Sequence, residues 1–334
     1  MLYIRFRPSF NDFAEILWET IGNTTFYDDL RGLMAIKDKH FTVTDSPPPF
    51  AAGGLEEGLR KHDKDRFLCA LFAPSERRPA LVALYAFNAE IAGIRDSVSE
   101  TLIAQMRLKW WYDALDGIAR GQIPKHPVAE ALAVVLAKCP PIKDPLIQLI
   151  ETRAADLVPV QPSHMGALER YGDETSGQLA RVALQVLGAP EDDRIDEVAR
   201  HVGIAWSMVG LLRVLPFHAA RGYLYLPLDM CGVAGIDPEV ALSTRYGQKT
   251  HDGVIAVVKS VADVARDNLL QARNFRHKMP AVATPVCLQA VLADSYLRRL
   301  ASVAYDPAAL RMARLGPGPG TLMRLAWNAL RRTY

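Results

Sequence analysis

From residue 58 onward the chain repeats apolar side chains every three or four positions and hardly ever every two, so it can bury a core only by packing helix on helix. Leu81, Leu84, Tyr85, Asn88, Ile91, Ala92 and Arg95 fall along one side of a first helix. Leu102, Met106, Trp110 and Leu115 mark a second, which Gly121 and Pro124 end. Pro127 to Lys138 reads as a third, stopped by Pro140-Pro141. Further helices are predicted near 145–157, 164–187, 192–214, 250–276, 281–303 and 321–332. The best strand signal, Tyr223 to Leu226, is cut short by Pro227. With 50% hydrophobic and 23% charged residues the chain lies far from the composition of disordered proteins. The expected fold is all-α, one large bundle of about nine helices.

Breaks in the pattern divide the chain. Ser46-Pro47-Pro48-Pro49 and Gly53-Gly54 read as a linker, giving an N-terminal extension over 1–57, a helical domain over 58–310 and a tail over 311–334. The net charge of +2 hides an asymmetry: the tail holds five arginines and no acid, while residues 1–310 hold 34 basic and 37 acidic groups. An acidic helical body argues against nucleic acid as a partner. Cys69, Cys139, Cys231 and Cys287 lie far apart with no CxxC, which predicts buried free thiols rather than a disulfide scaffold or a zinc site. Asp12, Glu15 and Glu19 interrupt the start of the chain where a signal peptide needs an apolar stretch. No apolar run reaches the roughly 18 residues of a membrane span, so a soluble or peripheral intracellular protein is expected.

Phosphate loops (GxxxxGK[ST]), dinucleotide fingerprints (GxGxxG), HExxH and GxSxG are all absent. Three other blocks carry information. Leu84-Tyr85-Ala86-Phe87-Asn88-Ala89-Glu90-Ile91-Ala92-Gly93-Ile94-Arg95-Asp96 is the first, and Tyr171-Gly172-Asp173-Glu174-Thr175-Ser176-Gly177 the second. The third runs from Gly203-Ile204-Ala205 through Leu212-Arg213 to Arg221-Gly222-Tyr223-Leu224-Tyr225-Leu226-Pro227. In this order and spacing the blocks resemble the squalene/phytoene synthase family of head-to-head prenyltransferases. The resemblance implies the isoprenoid (terpenoid) synthase helical fold. It also implies a site where two DxxxD pairs face each other, hold Mg²⁺ through carboxylate oxygens and clamp prenyl diphosphates.

Residue by residue, the match departs from that chemistry. LYAF on LYAF puts the first aspartate pair at Ala92 and Asp96; LR and YLP put the second at Val214 and His218. Asp96 is then the one remaining metal carboxylate, and the resemblance implies no cofactor unless an active enzyme rebuilds a Mg²⁺ site. Pro216 is expected to kink or stop its helix. Tyr171 matches the tyrosine implicated in the family's cation chemistry, which makes it the candidate catalytic residue. Arg78, Arg213 and Arg221 match positions that flank the diphosphates. By side-chain chemistry alone, Tyr171 also reads as a hydrogen-bonded core residue, and the arginines as caps or ion-pair partners.

A narrower resemblance follows from Phe87-Asn88-Ala89-Glu90, Arg95-Asp96-Ser97-Val98-Ser99-Glu100, Leu211-Leu212-Arg213 with Pro216-Phe217-His218, Leu226-Pro227-Leu228-Asp229-Met230-Cys231, and the ending Trp327…Thr333-Tyr334. These are similar to the branch that contains a mitochondrial complex I assembly factor and its bacterial relatives. That implies a non-catalytic role in complex I assembly, with complex I subunits or other assembly factors as partners, in a bacterial cytoplasm or on the mitochondrial matrix side. The rival expectations are an active prenyltransferase and a carrier of an isoprenoid or other apolar lipid. Leu322, Leu325, Ala326, Ala329 and Leu330 alternate with Arg324, Arg331 and Arg332 around Trp327, so the tail fits either an anionic membrane surface or a face of the bundle.

Overall fold

The computed structural model describes residues 54–98, 100–158, 161–237, 248–307, 309 and 316–334. Of the 1–57 extension and its linker, residues 54–57 are described, as the start of a helix that continues past the expected boundary at 58, and the rest lies outside the described residues. Within them are thirteen α-helices and no strand. In chain order these are α1 (Gly54–His62), α2 (Lys64–Ala70), α3 (Arg78–Ser97), α4 (Thr101–Ala119), α5 (Pro127–Lys138) and α6 (Lys143–Ala155). There follow α7 (Met165–Gly172), α8 (Gln178–Leu187), α9 (Asp193–Ala219) and α10 (Leu228–Val233). The last are α11 (Gln248–Asn274), α12 (Thr284–Ser302) and α13 (Pro319–Arg331).

Helix α9 is the hub: it packs against α7, α8, α11 and α12. It starts sharply because the Asp192 side chain accepts the backbone N–H of Arg194 at 2.8 Å, and Asp193 and Asp196 suit the positive end of its dipole. Val198, Ala199, Val202, Ile204, Ala205, Met208 and Val209 are buried along it. Among the described residues it is the one helix long and apolar enough to cross a membrane, yet 56% of that window is buried inside the protein. This is the pattern of a core helix. Against it and around it close Leu81, Leu84, Tyr85, Phe87, Leu132, Leu146, Val258, Leu269, Leu288 and Leu292, each removed from solvent. A fully buried side chain of this size contributes about 1.5–3 kcal/mol relative to an exposed one.

Glycine sets how near the helices come. The segment predicted as one helix over 164–187 is broken by a π turn at Asp173–Gly177, which joins α7 to α8. A Cβ on Gly203 of α9 would overlap the Cα and N of Gly177 in that turn. A Cβ on Gly172 would stand 3.1 Å from the Ile204 Cα. Backbone meets backbone at this crossing, and it fixes Tyr171, one residue before Gly172, against the end of the bundle.

Two local expectations change. Tyr223 to Leu226 is an irregular connection rather than a strand: no described strand lies beside it, and the Leu226 carbonyl takes a 2.8 Å hydrogen bond from the Gln161 side chain instead. Helix α9 is also not stopped at Pro216 but runs three residues further, to Ala219. Pro216 sits on the exposed side of the last turn, where the loss of one backbone hydrogen bond is tolerated. All four cysteines are free; Cys69, Cys231 and Cys287 are buried and Cys139 is half-buried.

Candidate functional site

The last turns of α3 and α9, the 223–227 connection and the ends of α6 and α7 meet at one end of the bundle. Asp156, just past the end of α6, is the anchor. Its Oδ2 accepts from the Arg153 guanidinium at 3.0 Å and from the Tyr171 hydroxyl at 3.0 Å, and its Oδ1 accepts from the Tyr225 hydroxyl at 3.2 Å. Arg153 also donates to the Tyr171 oxygen at 2.7 Å. The Tyr171 and Tyr225 rings lie 5.7 Å apart.

Arg95, four residues from Ile91 on α3, closes the group from the other side. Its guanidinium carbon stands 3.2 Å from the centre of the Tyr223 ring, and Nη1 donates to the Tyr225 oxygen. Stacking of this kind satisfies part of the cation through the ring quadrupole. Nε and Nη2 of Arg95, Nε of Arg153 and Nδ1 of His218 are buried without a hydrogen-bond partner.

The positions matched by resemblance to the two aspartate pairs sit at these same helix ends. Ala92 and Asp96 are one turn apart on α3, and Val214 and His218 one turn apart on α9. Asp96 Oδ1 faces Arg221 Nη1 at 3.9 Å, with both side chains more than a third exposed. Arg221 in turn covers the Phe217 ring at 3.8 Å. His218 packs its ring 5.3 Å from Tyr225. Burial lowers the His218 pKa, opposed by Asp96 and assisted by the Arg95 charge, so the imidazole is neutral at pH 7. Burial pushes the Tyr171 hydroxyl up to about 12 against the pull of Arg153, and it pushes Tyr225 up further. Both phenols therefore remain hydrogen-bond donors. For Arg153, burial works against the charge, but Tyr171 and Asp156 outweigh it and hold the guanidinium charged.

Tyr171, Arg221, Asp96 and His218 are thus brought together, while Arg78 and Arg213 have other partners. Arg78 donates to the Leu71 carbonyl at 2.9 Å and caps the end of α2. Arg213 Nη1 meets Asp65 Oδ2 at 2.7 Å, and both Asp65 oxygens accept from the Tyr296 hydroxyl at 2.9 Å. The Arg213 guanidinium also lies 3.7 Å over the Tyr296 ring. This buried triad ties α2 to α9 and α12. Arg95, Arg153 and Asp156 were not singled out from sequence as site residues. The i,i+3 spacing of Arg153 and Asp156 predicts a local pair, but nothing local shows that it faces Tyr171.

The family model of squalene/phytoene synthase matches residues 59–317. The chain belongs to the squalene/phytoene synthase family. Within that family it is 35% identical over 250 residues to the mouse protein named NADH dehydrogenase (ubiquinone) complex I, assembly factor 6, covering 75% of this chain and 74% of the relative. The human protein of the same name is 32% identical over the same length. Presqualene diphosphate synthase of Rhodopseudomonas palustris is 26% identical over 205 residues, covering 60% of this chain and 70% of the relative. Among solved structures, a dehydrosqualene synthase bound to a ligand superposes with a TM-score of 0.70 at 18% identity, covering 82% of this chain and 93% of that one. Squalene synthase HpnC of Alicyclobacillus acidocaldarius gives 0.66 at 20% identity, covering 76% and 94%. These two likenesses establish the isoprenoid synthase helical fold.

Proposed function

We propose that this chain serves in the assembly of respiratory complex I, on a prenyltransferase fold whose metal clamp has given way to an arginine–tyrosine–aspartate network. The observation that carries the reading is Arg95, stacked on Tyr223 and bonded to Tyr225 between the helix ends that would present the two aspartate pairs.

A Mg²⁺ clamp needs several hard carboxylate oxygens free to coordinate. Ala92 and Val214 offer no donor, His218 offers a neutral nitrogen, and Asp96 faces Arg221. Asp156 is already engaged by Arg153 and two tyrosines. Among the described residues of this network, three guanidiniums (Arg95, Arg153, Arg221) outnumber two carboxylates (Asp96, Asp156), a balance that disfavours a divalent cation. The residues present do not fit a Mg²⁺–diphosphate clamp. Tyr171 is on this reading a structural member of the network, holding Asp156 rather than a reacting cation.

The direction toward complex I comes from the mouse and human relatives, whose names state that role for them. Their pairing with this chain supports partners among complex I subunits or other assembly factors, and a place on the matrix side of a mitochondrion or in a bacterial cytoplasm. The named presqualene diphosphate synthase relative supports the second reading, a working prenyltransferase. Purified chain incubated with labelled farnesyl or geranylgeranyl diphosphate and Mg²⁺ separates the two. No pyrophosphate release above a boiled control is expected; metal-dependent release overturns the non-catalytic reading. A copurifying isoprenoid or other lipid, detected by mass spectrometry, would mark the carrier alternative.

A further inference from the structure

Helix α13 has two faces. One is docked: Leu325, Ala326 and Ala329 are buried against α12, and Ser295 Oγ and Thr321 Oγ1 share a 2.7 Å hydrogen bond across the contact. Beyond its end, the Tyr334 hydroxyl donates to the Ala272 carbonyl at 3.1 Å, and Arg273 Nε donates to the Tyr334 carbonyl at 3.0 Å. The other face carries Met323, Trp327 and Leu330 in one stripe, 64%, 55% and 49% exposed. Large apolar side chains in a stripe on a firmly docked helix are not explained by packing against the described residues.

The charges carried by the helix and the residues that follow it have one sign, and the nearby Asp294 is paired with Arg273. Residues 316–334 contain Arg324, Arg331 and Arg332 and no acid. Arg331 stacks 4.3 Å from the centre of the Trp327 ring, so its cation rides beside the most interfacial residue of the stripe. The exposed turn Arg276-His277-Lys278 adds basic charge next to the end of the helix, close enough for Arg276 to act on the Tyr334 hydroxyl. At 13 residues the helix is about 20 Å long, too short to cross a bilayer. An apolar stripe with a central tryptophan and a basic border fits the headgroup level of a membrane.

We propose that the outer face of α13, with Met323, Trp327 and Leu330 inserted and Arg331 at their border, docks this protein on an anionic phospholipid surface. The docking does not depend on the assembly reading above. The test is flotation of the full chain with vesicles of phosphatidylcholine alone or mixed with phosphatidylglycerol. Flotation is expected with the mixed vesicles only, and raised salt should release the chain. Arg331→Glu should weaken binding about thirtyfold, the equivalent of about 1 kcal/mol for each of two units of charge near the surface. Trp327→Ala should weaken it as well, and both variants should melt with the parent because the two side chains are exposed. A chain that stays in the soluble fraction at low salt, or that floats equally on neutral vesicles, overturns the proposal. In the first case an acidic protein surface becomes the occupant to test.

Discussion

Replacing Arg213 by methionine tests whether that arginine belongs to the core or waits for a diphosphate. In the parent its guanidinium lies 2.7 Å from Asp65, with side-chain exposures of 16% and 8%. Arg213→Met keeps the aliphatic bulk over Tyr296 and leaves the Asp65 carboxylate buried with a hydroxyl as its remaining described partner. Breaking a buried pair by removing one member costs about 3–5 kcal/mol. The expected loss is therefore about 3–5 kcal/mol, or a melting temperature lower by roughly 6–20 °C. Asp65→Asn placed on Arg213→Met should recover part of the loss, because it removes the uncompensated charge. Calorimetric melts of the parent and both variants at pH 7 decide the matter. An Arg213→Met melt within a degree or two of the parent at pH 7 refutes the structural role and returns Arg213 to the ligand-facing residues.

Other consequences follow from the same geometry. Gly203→Ala should destabilise the fold by more than the roughly 1–3 kcal/mol of ordinary overpacking, because its Cβ would meet the Gly177 backbone rather than a movable side chain; a denaturant midpoint reads this directly. Glu90 lies 3.9 Å from His126 beside the Trp110 and Trp111 rings, and burial, opposed by Arg107, raises its carboxyl from 4.5 to about 7. A carboxyl whose folded pKa is raised costs stability as pH climbs from about 4.5 to about 7. Glu90→Gln should therefore raise the melting temperature at pH 8 and leave it nearly unchanged at pH 4. Equal gains at both values would show that the carboxyl is not held neutral by the fold.

The helices were legible where periodicity and caps agree. Pro127 to Lys138 begins on a proline and ends before Pro140-Pro141, and α5 has those same bounds. The π turn at Asp173–Gly177 was not legible, since the residue packed against it, Gly203, comes from another helix. The three sequence blocks do converge: the first supplies Arg95 and Asp96, the second Tyr171, the third Arg221, Tyr223 and Tyr225. Arg153 and Asp156 could not be read in advance, because their importance lies in contacts to Tyr171 and Tyr225 that only the folded chain makes. For Arg78 and Arg213, the sequence gives only a basic residue at a position; the fold supplies carbonyl and carboxylate partners.

The proposed role in building complex I, without a metal-clamped diphosphate, is open to a genetic test. Deleting the gene in its host and measuring assembled complex I with its NADH oxidation tests this most directly. Assembled, active complex I is expected to fall on deletion. Recovery is expected with the parent gene and equally with Asp96→Asn, since that carboxylate's ion pair is a long contact to an exposed arginine. Normal complex I in the deletion strain, or rescue that fails with Asp96→Asn while the variant is folded and present, would contradict it.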